Sequence, residues 1–214
     1  MRLVLASASP RRADLLRAAG FDFETIVPDV DERLRSGEPP STYVRRVAAE
    51  KSAAAIAALK GRATSPIAGD GPFPGAARRS SSVAQGFSPA DTIILAADTA
   101  VVVDGDILGK PLHDDDAARM LRRLSGRWHE VITAVSLRRG AYEVGRVETT
   151  RVWFSTLSDD DVAWYVASGE GRDKAGAYAI QGLASRFIPR IEGSYSNVVG
   201  LPVAAVAELM GELG

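Results

Sequence analysis

Ile93-Ile94-Leu95-Ala96-Ala97-Asp98-Thr99-Ala100-Val101-Val102-Val103 is the stretch on which the fold turns. From Thr92 onward it is apolar and rich in β-branched residues, as expected of a strand covered on both faces. Asp104-Gly105 after it is a hairpin turn signal. A lone carboxylate in such a run is costly unless it is paired, metal-bound or protonated. Asp98 therefore reads as a general base or metal ligand tuned by apolar surroundings. The structural alternative is an aspartate satisfied by backbone amides at a strand break.

Upstream, Leu3 to Ala6 is a shorter apolar run with the same covered-strand pattern, followed by Ser7-Ala8-Ser9-Pro10-Arg11-Arg12. Ser9 can cap a helix that Pro10 opens, Leu15, Leu16 and Ala19 form its stripe, and Gly20 stops it. A helix start after a strand presents free N–H groups and a positive dipole end. Ser7 and Ser9 can add hydroxyl donors, and Arg11 and Arg12 can clamp phosphate. The plain alternative is a capped helix with solvated arginines. Phe21 to Val27 predicts a second strand, ended by Pro28. Asp29, Asp31 and Glu32 follow it and could bring another carboxylate to a metal.

A long alanine-rich helix is predicted from Ser41 or Thr42 to Lys60-Gly61, with Val44, Val47, Ala48, Ala55 and Ala58 on its buried face. Lys51 lies on that face by its offsets of seven, four and three from Val44, Val47 and Ala48. It is either a cation delivered into a cleft beneath the helix or a lysine snorkelling from the edge of the stripe. Residues 62–90 then lose all apolar period and are rich in Gly, Pro, Ser and Ala. At roughly twice the length of an already long loop, they read as a flexible insertion in a single domain spanning residues 1–214.

Downstream, Lys110-Pro111 follows the hairpin and Asp114 caps a helix through Leu124, ended by Gly126. The run from Asp114 to Asp116 reads as a helix start, not a metal site. Strands are predicted near 128–138 and 144–155. Ser158-Asp159-Asp160-Asp161 is a capping-box start for a helix to Ala167, with Gly169 as its stop. Lys174 precedes Gly176-Ala177-Tyr178, and a last helix begins at Pro202. Trp128, Trp153 and Trp164 read as core residues, not as a base-stacking platform. Strands and helices alternate at first and then two strands run together, which predicts an α/β fold with a mixed sheet.

Composition narrows the chemistry. The 214 residues are 46% apolar and 25% charged, and the formal net charge is -1. That balance gives no general attraction to nucleic acid or acidic membrane. There is no cysteine and only two histidines, His113 and His129. A bound metal would thus rest on carboxylates, carbonyls and water, which favours hard cations such as Mg²⁺ or Mn²⁺. No stretch has about 18 consecutive apolar residues, so a cytoplasmic protein is expected.

Taken together, several segments resemble the Maf family of nucleotide pyrophosphatases. They are Leu5-Ala6-Ser7-Ala8-Ser9-Pro10-Arg11-Arg12, Ala49-Glu50-Lys51-Ser52-Ala53, Ala96-Ala97-Asp98-Thr99 and Gly109-Lys110-Pro111. Two more lie late in the chain: the run from Asp173-Lys174 to Ile180-Gln181-Gly182, and the run from Gly193-Ser194 to Leu201-Pro202. The resemblance covers nearly the whole chain in order; residues 62–90 are the departure. It implies an elongated mixed sheet flanked by helices, with two lobes around a cleft, of the inosine triphosphatase-like kind. It implies hydrolysis of a nucleoside triphosphate to monophosphate and pyrophosphate, with Mg²⁺, Mn²⁺ or Co²⁺ as cofactor. Asp98, Lys51 and Lys110 would be catalytic. Ser7, Ser9, Arg11, Arg12, Thr99, Lys174 and Gln181 would bind substrate, and Glu32 with Asp98 would hold the metal. Arg12, Thr99 and Gln181 match the branch preferring dTTP and UTP. A sister branch acting on 7-methyl-GTP carries glutamate at the position of Gln181. Other readings are a pyrophosphatase for purine or modified nucleotides and a non-catalytic nucleotide-binding regulator of cell division. The expected partner is the nucleotide, without nucleic acid or membrane; a homodimer is compatible.

Overall fold

The run around Asp98 forms strand β3, Thr92–Val103, at the centre of a seven-stranded mixed sheet. The computed structural model describes residues 2–64, 88 and 91–213. Before β3 come β1 (Arg2–Ala6), α1 (Pro10–Ala18), β2 (Glu24–Ile26) and α2 (Pro40–Thr64). After it come β4 (Asp106–Leu108), α3 (Asp114–Leu124), β5 (Trp128–Arg139), β6 (Tyr142–Trp153) and α4 (Asp159–Ala167). The chain ends with β7 (Arg190–Glu192), α5 (Tyr195–Val199) and α6 (Val203–Glu212). The sheet order is β2-β1-β3-β5-β6-β7, with β4 paired to β3. β2, β1 and β3 are parallel because helices connect them; β3, β5, β6 and β7 are antiparallel. This is the expected mixed α/β sheet.

Side-chain alternation sends each strand into two cores at once. Leu3, Leu5, Leu95 and Leu137 meet Leu16, Val206 and Leu209 of α1 and α6 on one face. On the other, Val4, Ile94 and Ala96 meet Ala55 and Ile56 of α2, while Ala100, Ile132 and Ala134 meet its Val44 and Ala48. Beyond Thr99, β3 enters a second lobe. There Val101 and Val103 pack with Leu121 and Leu124 of α3, Val162 and Tyr165 of α4, and Phe154.

Several local expectations are corrected. α2 starts at Pro40 and runs to Thr64, beyond Gly61. The insertion expected at 62–90 therefore begins inside a helix; apart from Ser88 its remainder lies outside the described residues. Ala58 is exposed; the buried face of α2 there runs instead through Ile56, with Leu59 packed beside it against Val4, Ile94 and Ala96. β2 is only three residues long. His113, not Asp114, caps α3, its ring accepting from Asp116 N–H at 3.2 Å. Ser9 occupies the cap position of α1 without a side-chain cap bond. Trp128 and Trp153 are only half-buried and Trp164 is 42% exposed, so none is core. The capping box at Ser158 and Asp161 is present as expected. Among the described residues no helix is long and apolar enough to cross a membrane.

One buried polar pair gives the second lobe a pH signature. His129 of β5 is 3% exposed, its Nε2 lies 2.7 Å from the Tyr178 hydroxyl, and its Nδ1 has no partner. Burial pushes its pKa down from 6.5 to about 3. The unfolded chain thus gains a proton below about pH 6.5 that the native protein refuses until about pH 3. His129 stability is therefore full above the unfolded value and falls with pH, by up to about 1.4 kcal/mol per unit. In urea unfolding at about pH 7 and about pH 5, the wild type should lose about 2 kcal/mol more than His129→Phe. Equal losses in the two proteins would contradict a neutral, buried His129.

Candidate active site

β3 has a gap in its pairing. β1 accompanies it only from Thr92 to Leu95, and β4 only from Val101 to Val103. Residues 96–100 pair with β5 alone, among the described residues. A cavity of about 550 Å³ opens at this gap, between the two lobes. Alternation then divides the chemistry, since Asp98 shares its face with Ala96 and Ala100, toward α2, and Thr99 points oppositely, toward α1 and α5.

On the α2 side, Lys51 Nζ lies 2.8 Å from Asp98 Oδ1 and 2.9 Å from Glu32 Oε1. The helical phase of Lys51 places it inward, and it is 7% exposed, so it does not snorkel. Asp98 is 6% exposed, and its Oδ2 is buried with no hydrogen-bond partner. Burial raises the Asp98 carboxyl above the usual carboxylate range, with Lys51 acting in the opposite direction. Of the acidic trio after β2, only Glu32 lines the cavity; Asp31 turns to Arg33 at 2.7 Å. Tyr43, which sequence reasoning missed, donates to the Glu32 carbonyl at 3.0 Å and also lines the cavity. Burial, with the charges of Asp98 and Glu32, pushes its hydroxyl up to about 12.

On the opposite side Arg12 is 9% exposed and hydrogen-bonds only to uncharged groups. Its Nε donates to Gly200 O at 2.8 Å, one terminal nitrogen to Ser7 Oγ at 3.3 Å and the other to Thr99 Oγ1 at 3.1 Å. Burial lowers its pKa, but a guanidinium stays charged in any folded protein. A buried cation without a contacting carboxylate is prepared for an anionic ligand. Ser9 N–H donates to Ser7 Oγ at 3.1 Å, so the unfilled side-chain cap leaves the first N–H groups of α1 for that anion. Behind Arg12, Thr99 Oγ1 and Thr133 Oγ1 are 3.0 Å apart, and Thr133 donates to Asn197 O at 3.2 Å. Asn197 is fully buried and donates to Val131 O at 3.0 Å and Thr150 Oγ1 at 2.9 Å. These supports also escaped sequence reasoning. The only available signal was the run beginning at Gly193, which carried no role.

Lys110 and Lys174 complete the cation set at the mouth. Gly176 N–H donates to Gly109 O at 3.0 Å, tying their two loops together. Lys174 is ion-paired with Asp173, and Arg11 lies 3.7 Å from the same carboxylate. Asp173 was not foreseen as a site residue. Gln181 is exposed at the rim and has no hydrogen bond among the described residues. Every residue to which the family resemblance gave a catalytic, binding or metal role lines this one cavity, whereas Asp29 and Asp31 do not. No tryptophan does.

The buried pair yields an energetic test. Breaking a buried ion pair by removing one partner costs about 3–5 kcal/mol, because the other charge is stranded. Lys51→Met should cost about 3 kcal/mol in denaturant unfolding, since exposed Glu32 needs no compensation. Adding Asp98→Asn should recover at least about half of that loss. Additive destabilisation in the double variant would show that the two groups do not couple.

Two similar proteins carry one name. A protein from Anaeromyxobacter dehalogenans named dTTP/UTP pyrophosphatase is 46% identical, with 100% of this chain and 94% of that protein covered. One of the same name from Shewanella oneidensis is 46% identical, covering 100% of this chain and 99% of its own. Among solved structures, a HAM1 protein from Coxiella burnetii aligns over 99% of both chains at 11% identity with a TM-score of 0.46. The family described as Maf-like protein matches residues 2–213, and with relatives this similar over their whole length the chain belongs to the Maf family.

Proposed function

We propose that the chain hydrolyses dTTP and UTP to the nucleoside monophosphate and pyrophosphate, the activity that its relatives' names carry. The observation that carries this reading is the buried, unpartnered Oδ2 of Asp98 in a cavity rimmed by Arg11, Arg12, Lys110 and Lys174. The cations suit a polyphosphate, whose transfer chemistry depends mostly on positioning and charge stabilisation. Asp98 Oδ2 is free to take the proton of an attacking water while Lys51 holds Oδ1. The water oxygen bonds to the α-phosphorus, the bond to the bridging oxygen breaks, and its electron pair leaves with pyrophosphate. Simple nucleotide binding by a regulator would gain nothing from a carboxylate with one oxygen kept open beside the cations.

The residues also fit a divalent cation. Among the described residues no three acidic or histidine side chains form a closed cage. Glu32 and Asp98 nevertheless converge on Lys51, and Oδ2 lacks a partner. Two carboxylates completed by water and substrate phosphate suit Mg²⁺, with Mn²⁺ or Co²⁺ as substitutes. A bound cation would offset phosphate charge there. For base choice, an amide such as that of Gln181 offers donors and an acceptor to the carbonyls and ring N–H of uracil or thymine.

Pyrophosphate release from dTTP, UTP, CTP and GTP with Mg²⁺ tests the reading directly; release from none of them would end it. Asp98→Asn should keep the fold and lower turnover by about 10²–10⁴. Gln181→Glu should cut kcat/KM on dTTP and UTP by more than about tenfold, because a stranded charge would face the base carbonyls. Equal proportional loss on all four nucleotides would mean that Gln181 does not read the base.

A further inference from the structure

Gln181 enters the cavity from a turn that is clamped at both ends. The turn closes with Gly182 N–H donating to Ala179 O at 3.1 Å. On its upstream side, Ala179 N–H donates to the Tyr165 hydroxyl at 3.1 Å. On its downstream side, Leu183 N–H donates to Glu170 Oε1 at 2.9 Å and Ala184 N–H to Oε2 at 3.4 Å. The Tyr165 hydroxyl donates in turn to Glu170 Oε2 at 2.7 Å, which makes the two clamps one unit. Tyr165 is 1% exposed and its ring stands edge-on to Phe187, centroids 6.2 Å apart. Glu170 lies across Gly182, where a Cβ would meet Oε1 at 2.0 Å. Only glycine lets the carboxylate reach both amides.

We propose that Tyr165 and Glu170 are positioning residues for base recognition, holding the Gln181 turn so that its amide stands in one place in the cavity. The proposal rests on the reading of Gln181 as the group that meets the base. Gln181 has no bond of its own, so its backbone must supply the order that discrimination requires. The phosphate side is anchored separately, with Ala177 N–H donating to Lys174 O and Gly176 N–H to Gly109 O. Loosening the clamp should therefore degrade the choice of base far more than hydrolysis itself.

The experiment measures kcat/KM on dTTP, UTP, CTP and GTP for the full-length wild type, Gln181→Ala, Tyr165→Phe, Gly182→Ala and the double variant Gln181→Ala/Tyr165→Phe. Tyr165→Phe keeps the buried ring and removes only the hydroxyl; Gly182→Ala displaces Glu170 from the other side. Each should lower the preference for dTTP over CTP by about tenfold or more, chiefly through KM, with the poorest nucleotide nearly unaffected. In the Gln181→Ala background, Tyr165→Phe should lower the preference no further. Unchanged preference in both clamp variants, or a further loss in the double variant, overturns the proposal while leaving the functional reading intact. A Gln181→Ala protein that keeps its full preference overturns the proposal together with the base-reading role, and a wild type inactive on all four removes both.

Discussion

A carboxylate in the centre of a doubly covered strand is the constraint around which the molecule is arranged. β3 must be apolar to serve two cores, yet Asp98 interrupts it where it leaves one lobe for the other. Lys51 makes this tolerable, and α2 makes Lys51 possible. The contact face of that helix includes Ala48 and Ala55, set against Ala96, Ala100 and Ala134 of the sheet. Such small residues let helix and sheet approach closely, so that the lysine stem reaches the strand while its own residue stays buried. A buried ion pair is rarely more stabilising than a well-packed apolar pair of similar volume. Stability alone therefore does not account for Asp98 and Lys51, and a carboxylate with one satisfied and one open oxygen is better explained by chemistry.

Adjacent residues of one strand serve opposite faces, and the site exploits this. Asp98 meets Lys51 and Glu32, where charge is dense and a proton can be handled. Thr99 meets Arg12, Gly200 and Thr133, a network of neutral acceptors around a buried cation. The gap between β1 and β4 exposes both faces to the same cavity, which neither face alone would provide.

Much of this was legible because it depends on local patterns. The apolar run of β3, the turn at Asp104 and Gly105 (both with positive φ), the capping box at Ser158 and the inward phase of Lys51 each lie within a few turns of chain. What escaped depends on distance or on which way a contact face turns. Ala58 fits the helical stripe by its spacing, but the face that meets the sheet there runs through Ala55, Ile56 and Leu59 and leaves Ala58 outside it. The tryptophans are large and apolar, yet Trp128 lies at a sheet end with the Arg151 guanidinium 4.6 Å from its ring centre, a half-exposed arrangement that composition does not reveal. Arg12 was singled out, but its bond to Gly200 spans 188 positions and has no periodicity to betray it. Asp173 was overlooked beside Lys174, since neighbouring opposite charges usually report only solvation.

The two halves of the cavity are built by different means. Most groups suited to phosphate come from regular elements, namely the start of α1, the middle of β3 and the buried face of α2, and the loop residues Lys110 and Lys174 add to them at the mouth. Those elements are packed into the hydrophobic cores on the two faces of the sheet, and moving them would disturb close-packed surface. The Gln181 turn belongs to no regular element and is held by four N–H bonds, one of them internal. Changes in that turn can alter which base fits without shifting Asp98, Lys51 or Arg12. The same division explains why the turn needs a buried hydroxyl and a carboxylate behind it. A segment without a helical or sheet ladder must find partners for its amides elsewhere, and here those partners also set where the amide of Gln181 stands.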